Sequence, residues 1–549
     1  MRRSYGGAFR RPFFHGTERR LASLIGTDNI VYSPRPSVPC PHLSLGKYLM
    51  GKLEEHGNQE ALMDIPTGRR MSFTQLRDAV IRVTSALSKL GIKKGDVVLV
   101  CSTNCLEFPV LCVAVLNLGA VFSPVNPAST VDDLQRQLEL SQASCVVGGN
   151  GLTVNIDRAS QGNTAVKMKI VFGCAEGWIP FSVLMEDDGR SYSHPEPVDP
   201  FQHMAFLSYS SGTTGLPKGV MLTHHNVLVN MMQFSQSFPT QAGEDKVLAY
   251  LPFYHAYGLI VKILNCLNGG LSMSIVPRFD ESFLQTMSQE RITILHLVPP
   301  VCVFMLKHPD IRQYDLSAIR AALCGAAPIG GDQVAEFRER FGIEDFIQGY
   351  GLTETSPLAT IDCRPVRVGS VGQAMSSVTL KVVDLETGES LGPGQSGEIC
   401  IKGPNVMAGY YRNPEATANA IKGDWLHSGD IGHFDEDGYF FVTDRVKELI
   451  KYKAQQVAPA ELEGLLLTHP WVRDAAVIGV PDPEAGELPR AYVVLKPGVP
   501  SDVTAEAIKK FVDEKVTSFK RLRGGVGFLE SIPKSPSGKI LRRTLKSQL

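Results

Sequence analysis

The sequence lacks an uninterrupted apolar run of the roughly 18 residues that a membrane span needs. The nearest stretch, Phe108 to Phe122, is broken by Pro109, Asn117 and Gly119. It reads as a buried helix running into a strand. An excess of one charge is also missing: 55 Lys and Arg face 56 Asp and Glu, for a net charge of −1. There is thus no basic excess to suggest a nucleic-acid partner, and no acidic tail. No Cys-x-x-Cys pair occurs, and 11 cysteines are an odd number. A complete disulfide framework and a zinc site are therefore not expected, and most of the thiols read as small buried hydrophobes.

What is present is a globular composition, 43% hydrophobic and 20% charged, over 549 residues. This is too long for one ordinary core, so two or more domains are expected. The first twenty residues hold Arg2, Arg3, Arg10, Arg11, Arg19 and Arg20 with Glu18 as the only acid. Residues 1–35 thus read as a leader, either a mitochondrial-type transit peptide or a disordered segment without an address. The last three residues, Ser547-Gln548-Leu549, differ from the peroxisomal Ser-Lys-Leu signal at the middle position, where the positive charge is lost. The compartment stays open between these readings.

An α/β rhythm begins near Leu45. Ser72 and Gln75 have capping-box spacing, and Leu76, Ala79, Val80, Val83, Leu87 and Leu90 follow at helical intervals up to Gly91. Val97–Val100 reads as a strand buried on both faces, Cys112–Leu118 as a helix and Ala120–Val125 as a strand. Such alternation predicts layered α/β architecture with largely parallel sheets. Val378–Gly403 predicts a β-rich subdomain, with strands at Leu380–Val383 and Glu398–Ile401 between turn-rich segments. After Asp444-Arg445 the chain becomes charged and helical. A helix is expected from Pro459, a strand at Ala475–Val480 and a helix over Ala505–Val516. The organisation read from this is a large domain over 36–445 and a small α+β domain over 446–549.

The sharpest chemical signal is Tyr209-Ser210-Ser211-Gly212-Thr213-Thr214-Gly215-Leu216-Pro217-Lys218-Gly219-Val220, which follows a likely strand at Met204–Leu207. Glycines let backbone N–H groups approach phosphate oxygens, while the hydroxyls and Lys218 add donors and charge. The spacing is not that of a Walker loop, which fails at Pro217. A lone loop of this composition is usually a connector; the Pro-Lys-Gly turn behind it favours phosphate binding.

This loop resembles the phosphate-binding signature of the adenylate-forming superfamily, which includes acyl-CoA synthetases, 4-coumarate–CoA ligases, firefly luciferases and peptide-synthetase adenylation domains. The likeness continues in order through Pro252-Phe253-Tyr254-His255, Gly325-Ala326-Ala327-Pro328 and Gln348-Gly349-Tyr350-Gly351-Leu352-Thr353-Glu354. It then runs through Gly397–Gly403, Ser428-Gly429-Asp430, Asp444-Arg445 and Pro536-Ser537-Gly538-Lys539. Lys451-Tyr452-Lys453 and Gln456–Glu463 place it nearest the 4-coumarate–CoA ligase and beetle luciferase branch.

The resemblance implies an ATP-dependent acid–CoA ligase: a carboxylate attacks the α-phosphorus, pyrophosphate leaves, and coenzyme A takes the acyl group from AMP. Ser210, Ser211, Gly212, Thr213, Thr214, Gly215 and Lys218 would meet the phosphates, and Glu354, with Thr353 beside it, would hold Mg²⁺. Tyr350 would stack on adenine, with Gly325, Ala326, Ala327, Gly349, Gly351, Leu352 and Gln456 around the nucleotide. Asp430 and Arg445 would take the ribose. Lys539 is implied for adenylation, Lys451 for thioester formation, and Lys447 for the hinge that exchanges them. His255 would face the substrate carboxylate. Tyr257, Val261, Phe304, Ala326, Pro357 and Leu358 would line an apolar acyl pocket, suited to a fatty acid or an arylpropenoic acid and without a partner for a polar distal group.

Four positions depart from the family wording. Ala454-Gln455 stand where glycine and an aromatic are usual, which bears on the thioester step; Cys324 and Ala326 replace Ser and Gly and read as tolerated. A luciferase-like monooxygenase and a dead scaffold protein share the same motifs and are the alternatives. A monomer or weak homodimer is expected.

Overall fold

The computed structural model describes residues 24–192, 197–210, 217–238, 240–327, 329–362, 366–446, 448–453, 455–500, 503–535 and 538–547. Most of the phosphate loop (211–216), the hinge Lys447, Ala454, the leader's arginines from Arg2 to Arg20, and Gln548 with Leu549 lie outside these residues.

Local rules account for the first layer. Ser72 Oγ accepts from the Gln75 N–H at 3.2 Å, and Gln75 Oε1 accepts from the Ser72 N–H at 2.9 Å. This reciprocal cap starts the helix Phe73–Lys89, which buries Leu76, Ala79, Val80, Val83 and Leu87. Gly91, at φ 92°, turns the chain out of it. The strand Val97–Cys101 is buried throughout because parallel strands, Val121–Val125 and Cys145–Gly149, flank it on both sides. The apolar stretch between them forms the helix Glu107–Asn117 with Pro109 in its first turn, where no helical hydrogen bond is lost. Among the described residues no helix is long and apolar enough to cross a membrane.

Two large sheets carry this layering. One runs Gly409–Tyr410, Lys218–Thr223, Met204–Ser210, Val121–Val125, Val97–Cys101, Cys145–Gly149, Met168–Phe172 and Ile179–Pro180. The other has a parallel centre through Glu60–Asp64, Ser272–Ile275, Lys246–Ala249, Ile294–Leu297, Ala321–Cys324 and Asp345–Gly351, with antiparallel strands added at both edges. A third, antiparallel sheet joins Val31–Tyr32, Thr379–Val383, Gly397–Lys402, Trp425–Phe434 and Phe440–Arg445. The β-rich region thus runs to Arg445, beyond the Gly403 expected, because Trp425–Phe434 pairs on both sides. The chain from Val31 is already docked here, and Arg35 donates to the carbonyls of Ala374 at 2.6 Å and Ile361 at 3.0 Å.

Past residue 446 the structure opens with strands, not helices. Ile450–Tyr452 and Gln455–Val457 form a hairpin before the helix Pro459–Leu467, and the long pair Val472–Asp482 with Gly486–Leu495 follows. The helix expected over Ala505–Val516 stops at Asp513. There the Asp513 carboxylate accepts from the Leu522 N–H at 2.8 Å, tying the helix end to the next segment. The apolar clusters divide along the chain: two draw their buried residues from positions up to Phe440, and two from Ile450 onward.

Candidate active site

The site forms where the second sheet ends. The strand Asp345–Gly351 carries Gly349, Tyr350 and Gly351 to its edge, and a short 3-10 turn, Thr353–Thr355, follows Leu352. Glycine is required at 351, since a Cβ there would lie 1.9 Å from the Pro357 carbonyl oxygen. Leu358 and Pro357 are buried behind this edge. Asn230 and Asn405 pin the turn, with side-chain amides donating to the Leu358 carbonyl at 2.9 and 2.7 Å.

Tyr350 and Asp430 meet across sheets: the tyrosine hydroxyl donates to Asp430 Oδ2 at 2.8 Å. Arg445 Nε lies 3.1 Å from Asp430 Oδ1, because Asp430 and Arg445 are paired across neighbouring antiparallel strands. Burial pushes the Asp430 carboxyl up against the pull of Arg445, and burial with the Asp430 charge pushes the Tyr350 phenol well up. Glu398 shapes the approach to this aspartate. It accepts from the Gly429 N–H at 3.0 Å, and its other oxygen lies 2.7 Å from His427 Nδ1.

Glu354 is buried. Its Oε1 accepts from the Tyr410 hydroxyl at 2.9 Å, and the Lys218 ammonium sits 4.7 Å from the centre of the same ring. Tyr410 reaches this place through a two-residue strand that pairs with Lys218–Thr223, in the register Val220 to Tyr410. Sequence reasoning missed Tyr410; nothing in its local pattern marks it, and only the sheet pairing brings it between Lys218 and Glu354. At the end of the neighbouring strand, Ser210 Oγ is buried without a hydrogen-bond partner.

The two lysines stand in different surroundings. Lys539 is half-buried, and burial followed by Arg445 lowers its ammonium pKa, with Glu448 and Asp430 acting the other way. His255 senses it: burial and then the Lys539 charge bring the imidazole down to about 4, so it is neutral at pH 7. Gly538 shows how the C-terminal loop gets there. A Cβ on it would lie 2.8 Å from Pro300, at the start of the helix Pro299–Lys307. Lys451, in contrast, has an exposed side chain on the strand Ile450–Tyr452, and its N–H donates to Glu487 Oε2 at 2.9 Å. Gln456 pairs with it across the hairpin.

Of the acyl-pocket candidates, Tyr257 and Val261 lie on a π-helix, Tyr257–Leu264, that no sequence signal announced. The Tyr257 hydroxyl donates to the Leu323 carbonyl at 3.0 Å, which sets its ring beside Gly325. Phe304 packs edge-on against Phe279 and His308. Ala326 has φ 70°, a left-handed conformation that costs an L-residue about 1–2 kcal/mol, so the alanine is strained there. Ala327 beside it is half-buried. The same π-helix buries Lys262 completely, with its ammonium hydrogen-bonded to the Leu248 carbonyl.

Known proteins match this chain over nearly its whole length. Residues 51–411 match the AMP-binding enzyme family, and residues 461–539 match the AMP-binding enzyme C-terminal domain. The chain belongs to the AMP-binding enzyme family. It is 38% identical to peroxisomal OPC-8:0-CoA ligase 1 of Arabidopsis thaliana, over 95% of this chain and 97% of that one. It is 39% identical to 4-coumarate–CoA ligase 3 of Oryza sativa subsp. japonica, over 96% and 97%. An anthranilate CoA ligase in complex with anthranoyl-AMP superposes with a TM-score of 0.85 at 25% identity, covering 93% of this chain and 98% of that one. ATP-bound MatB from Rhodopseudomonas palustris gives 0.83 at 28% identity, covering 92% and 98%.

Proposed function

We propose that this enzyme joins a carboxylic acid to AMP from ATP and then passes the acyl group to coenzyme A. The observation that carries this reading is the buried group in which Asp430 meets the Tyr350 hydroxyl at 2.8 Å and Arg445 at 3.1 Å, with the half-buried Lys539 close enough for their charges to act on it. In adenylation the carboxylate oxygen bonds to the α-phosphorus and pyrophosphate departs, so negative charge must be positioned and stabilised. Lys539 supplies a cation for the carboxylate and α-phosphate. Neutral His255 offers a hydrogen bond to the acid without a competing charge. Asp430 accepts from ribose hydroxyls beside Arg445, and Tyr350 covers the adenine.

Lys218 and the Ser210–Gly215 loop receive the departing phosphates. Glu354 fits Mg²⁺: its carboxylate is a hard oxygen donor, and only one of its oxygens is engaged by Tyr410. A bound ion would supply charge neutralisation on the phosphates. In the second half-reaction the thiol sulfur of coenzyme A attacks the acyl carbon and AMP leaves. Lys451 serves this step after residues 446–549 rotate about Lys447 on residues 36–445, a hinge movement of the kind that absorbs a large dihedral change. The acid is apolar near its carboxylate, of the fatty or arylpropenoic class, as the CoA-ligase names of the relatives suggest. A luciferase-like reaction is not favoured by those relatives. The test is AMP release from ATP with coenzyme A and a panel of such acids; release without thioester would remove the second half of the proposal.

A further inference from the structure

Two neighbouring strands of the antiparallel sheet bring a glutamate, a cysteine and a histidine together. Glu398 and Cys400 are two residues apart on the strand Gly397–Lys402 and so point to the same side. His427, on the strand Trp425–Phe434, is the direct cross-strand partner of Cys400. Between Glu398 and Cys400 the register slips, so that Ser428, Gly429 and Asp430 stand opposite Ile399 alone. In this bulge Gly429 takes φ 71°, and its N–H donates to Glu398 Oε1 at 3.0 Å.

Three donor atoms of different kinds converge as a result. His427 Nδ1 lies 2.7 Å from Glu398 Oε2 and 3.5 Å from Cys400 Sγ, and all three atoms lie within 4.8 Å of one another. No other three His, Cys, Asp or Glu side chains converge in this way among the described residues. A tetrahedral ion with bonds of about 2.0–2.3 Å holds its donors about 3.3–3.6 Å apart. The cysteine–histidine separation already has this value. The glutamate–histidine gap has to open by roughly 0.6 Å as an ion replaces the hydrogen bond. Cys400 is fully buried, while the side chains of Glu398 and His427 are 16% and 18% exposed, so the group is reached from solvent past these two.

We propose that Glu398, Cys400 and His427 bind a zinc ion, and that zinc bound there weakens the hold of Asp430 on the nucleotide. A thiolate, an imidazole nitrogen and a carboxylate oxygen suit zinc; magnesium takes oxygen ligands. Water from the exposed side completes the tetrahedron. Burial and then the Glu398 charge push the Cys400 thiol up to about 12, and the ion displaces that proton to solvent. The hydrogen bond from Gly429 is the outer support that orients the carboxylate. The effect on the nucleotide rests on the ligase reading above, in which Asp430 takes the ribose. Opening the gap moves the carboxylate that holds Gly429, and Gly429 directly precedes Asp430. The coupling is mutual, so bound nucleotide weakens zinc by the same factor.

The test titrates the full-length, metal-free enzyme with Co²⁺ as a spectroscopic stand-in for Zn²⁺. One equivalent is expected to give a thiolate-to-cobalt absorption band, which Zn²⁺ then removes by displacement. Cys400→Ser should lose the band, and His427→Gln should weaken cobalt binding by about tenfold or more. The other cysteines remain in both variants and control for adventitious thiols. If Cys400→Ser does not fold, His427→Gln, which alters a partly exposed side chain, decides. Absence of the band in the wild type, or a band unchanged in these variants, overturns the site. A second arm measures the Kd of AMP, whose single phosphate binds zinc weakly, with and without one equivalent of Zn²⁺. Zinc is expected to raise it about fivefold or more in the wild type and to leave it unchanged in Cys400→Ser. A cobalt band with no change in the AMP Kd overturns the coupling and leaves both the zinc site and the ligase reading standing. No AMP binding even without zinc overturns the ligase reading and the coupling together, and the cobalt arm alone then judges the site.

Discussion

The Tyr410 hydroxyl donates to Glu354 Oε1 at 2.9 Å, so a residue from a two-residue edge strand fixes the buried acid proposed to hold Mg²⁺. The same ring lies beneath the Lys218 ammonium. One aromatic side chain therefore spaces the phosphate-binding cation from the metal-binding anion. Hydrogen bonds to charged groups contribute about 1.5–3 kcal/mol. Tyr410→Phe keeps the ring and loses the hydroxyl, and pyrophosphate exchange is expected to fall by tenfold or more. Tyr410→Ala, which also loses the cation–π contact, should fall further. Exchange by Tyr410→Phe at the wild-type rate would remove the link.

Gly351 admits no side chain. Its Cβ would meet the Pro357 oxygen at 1.9 Å, and the strand edge that carries Tyr350 would have to move. Gly351→Ala is expected to lower both nucleotide affinity and Tm, the first through displacement of Tyr350. Fluorescent-nucleotide titration and a melting curve check the two effects separately.

Lys262 is wholly buried, its ammonium hydrogen-bonded to the Leu248 carbonyl, and burial brings its pKa down to about 7. From pH 7 up to the ordinary lysine value, the unfolded chain binds a proton that the folded chain does not. Stability from this group therefore rises with pH across that window and is lost as pH falls towards 7. Lys262→Met removes the titration. The variant's advantage over wild type should shrink by about 1.4 kcal/mol per pH unit between 7 and 10. Melting temperatures of both proteins over that range give the comparison; a constant difference would contradict it.

Much of this was legible in the sequence, and for identifiable reasons. The Ser72–Gln75 cap and the β-branched run at Val97 are local signals, and both elements form at the expected places within a residue or two. The motif residues Tyr350, Asp430, Arg445, Lys539 and His255 converge although they lie far apart along the chain. What escaped depends on tertiary pairing. Tyr410 is placed by a sheet register, and the end of the Ala505–Asp513 helix by a contact with Leu522. The π-helix has no sequence periodicity of its own at this length, so the turn that carries Tyr257 and Val261 stayed hidden in an apolar segment. Ala326 looked like a mild replacement because composition does not report φ; at 70° the missing glycine matters.

The division of labour between two lysines is the centre of the account. Lys539 lies in the site with Asp430 and His255, and Lys451 is exposed on the hairpin of the C-terminal sheet. The most direct test measures ATP–pyrophosphate exchange and coenzyme A consumption for Lys539→Ala and Lys451→Ala side by side. Lys539→Ala is expected to lose exchange, and Lys451→Ala to keep exchange while consuming coenzyme A slowly. Normal exchange by Lys539→Ala would contradict the account.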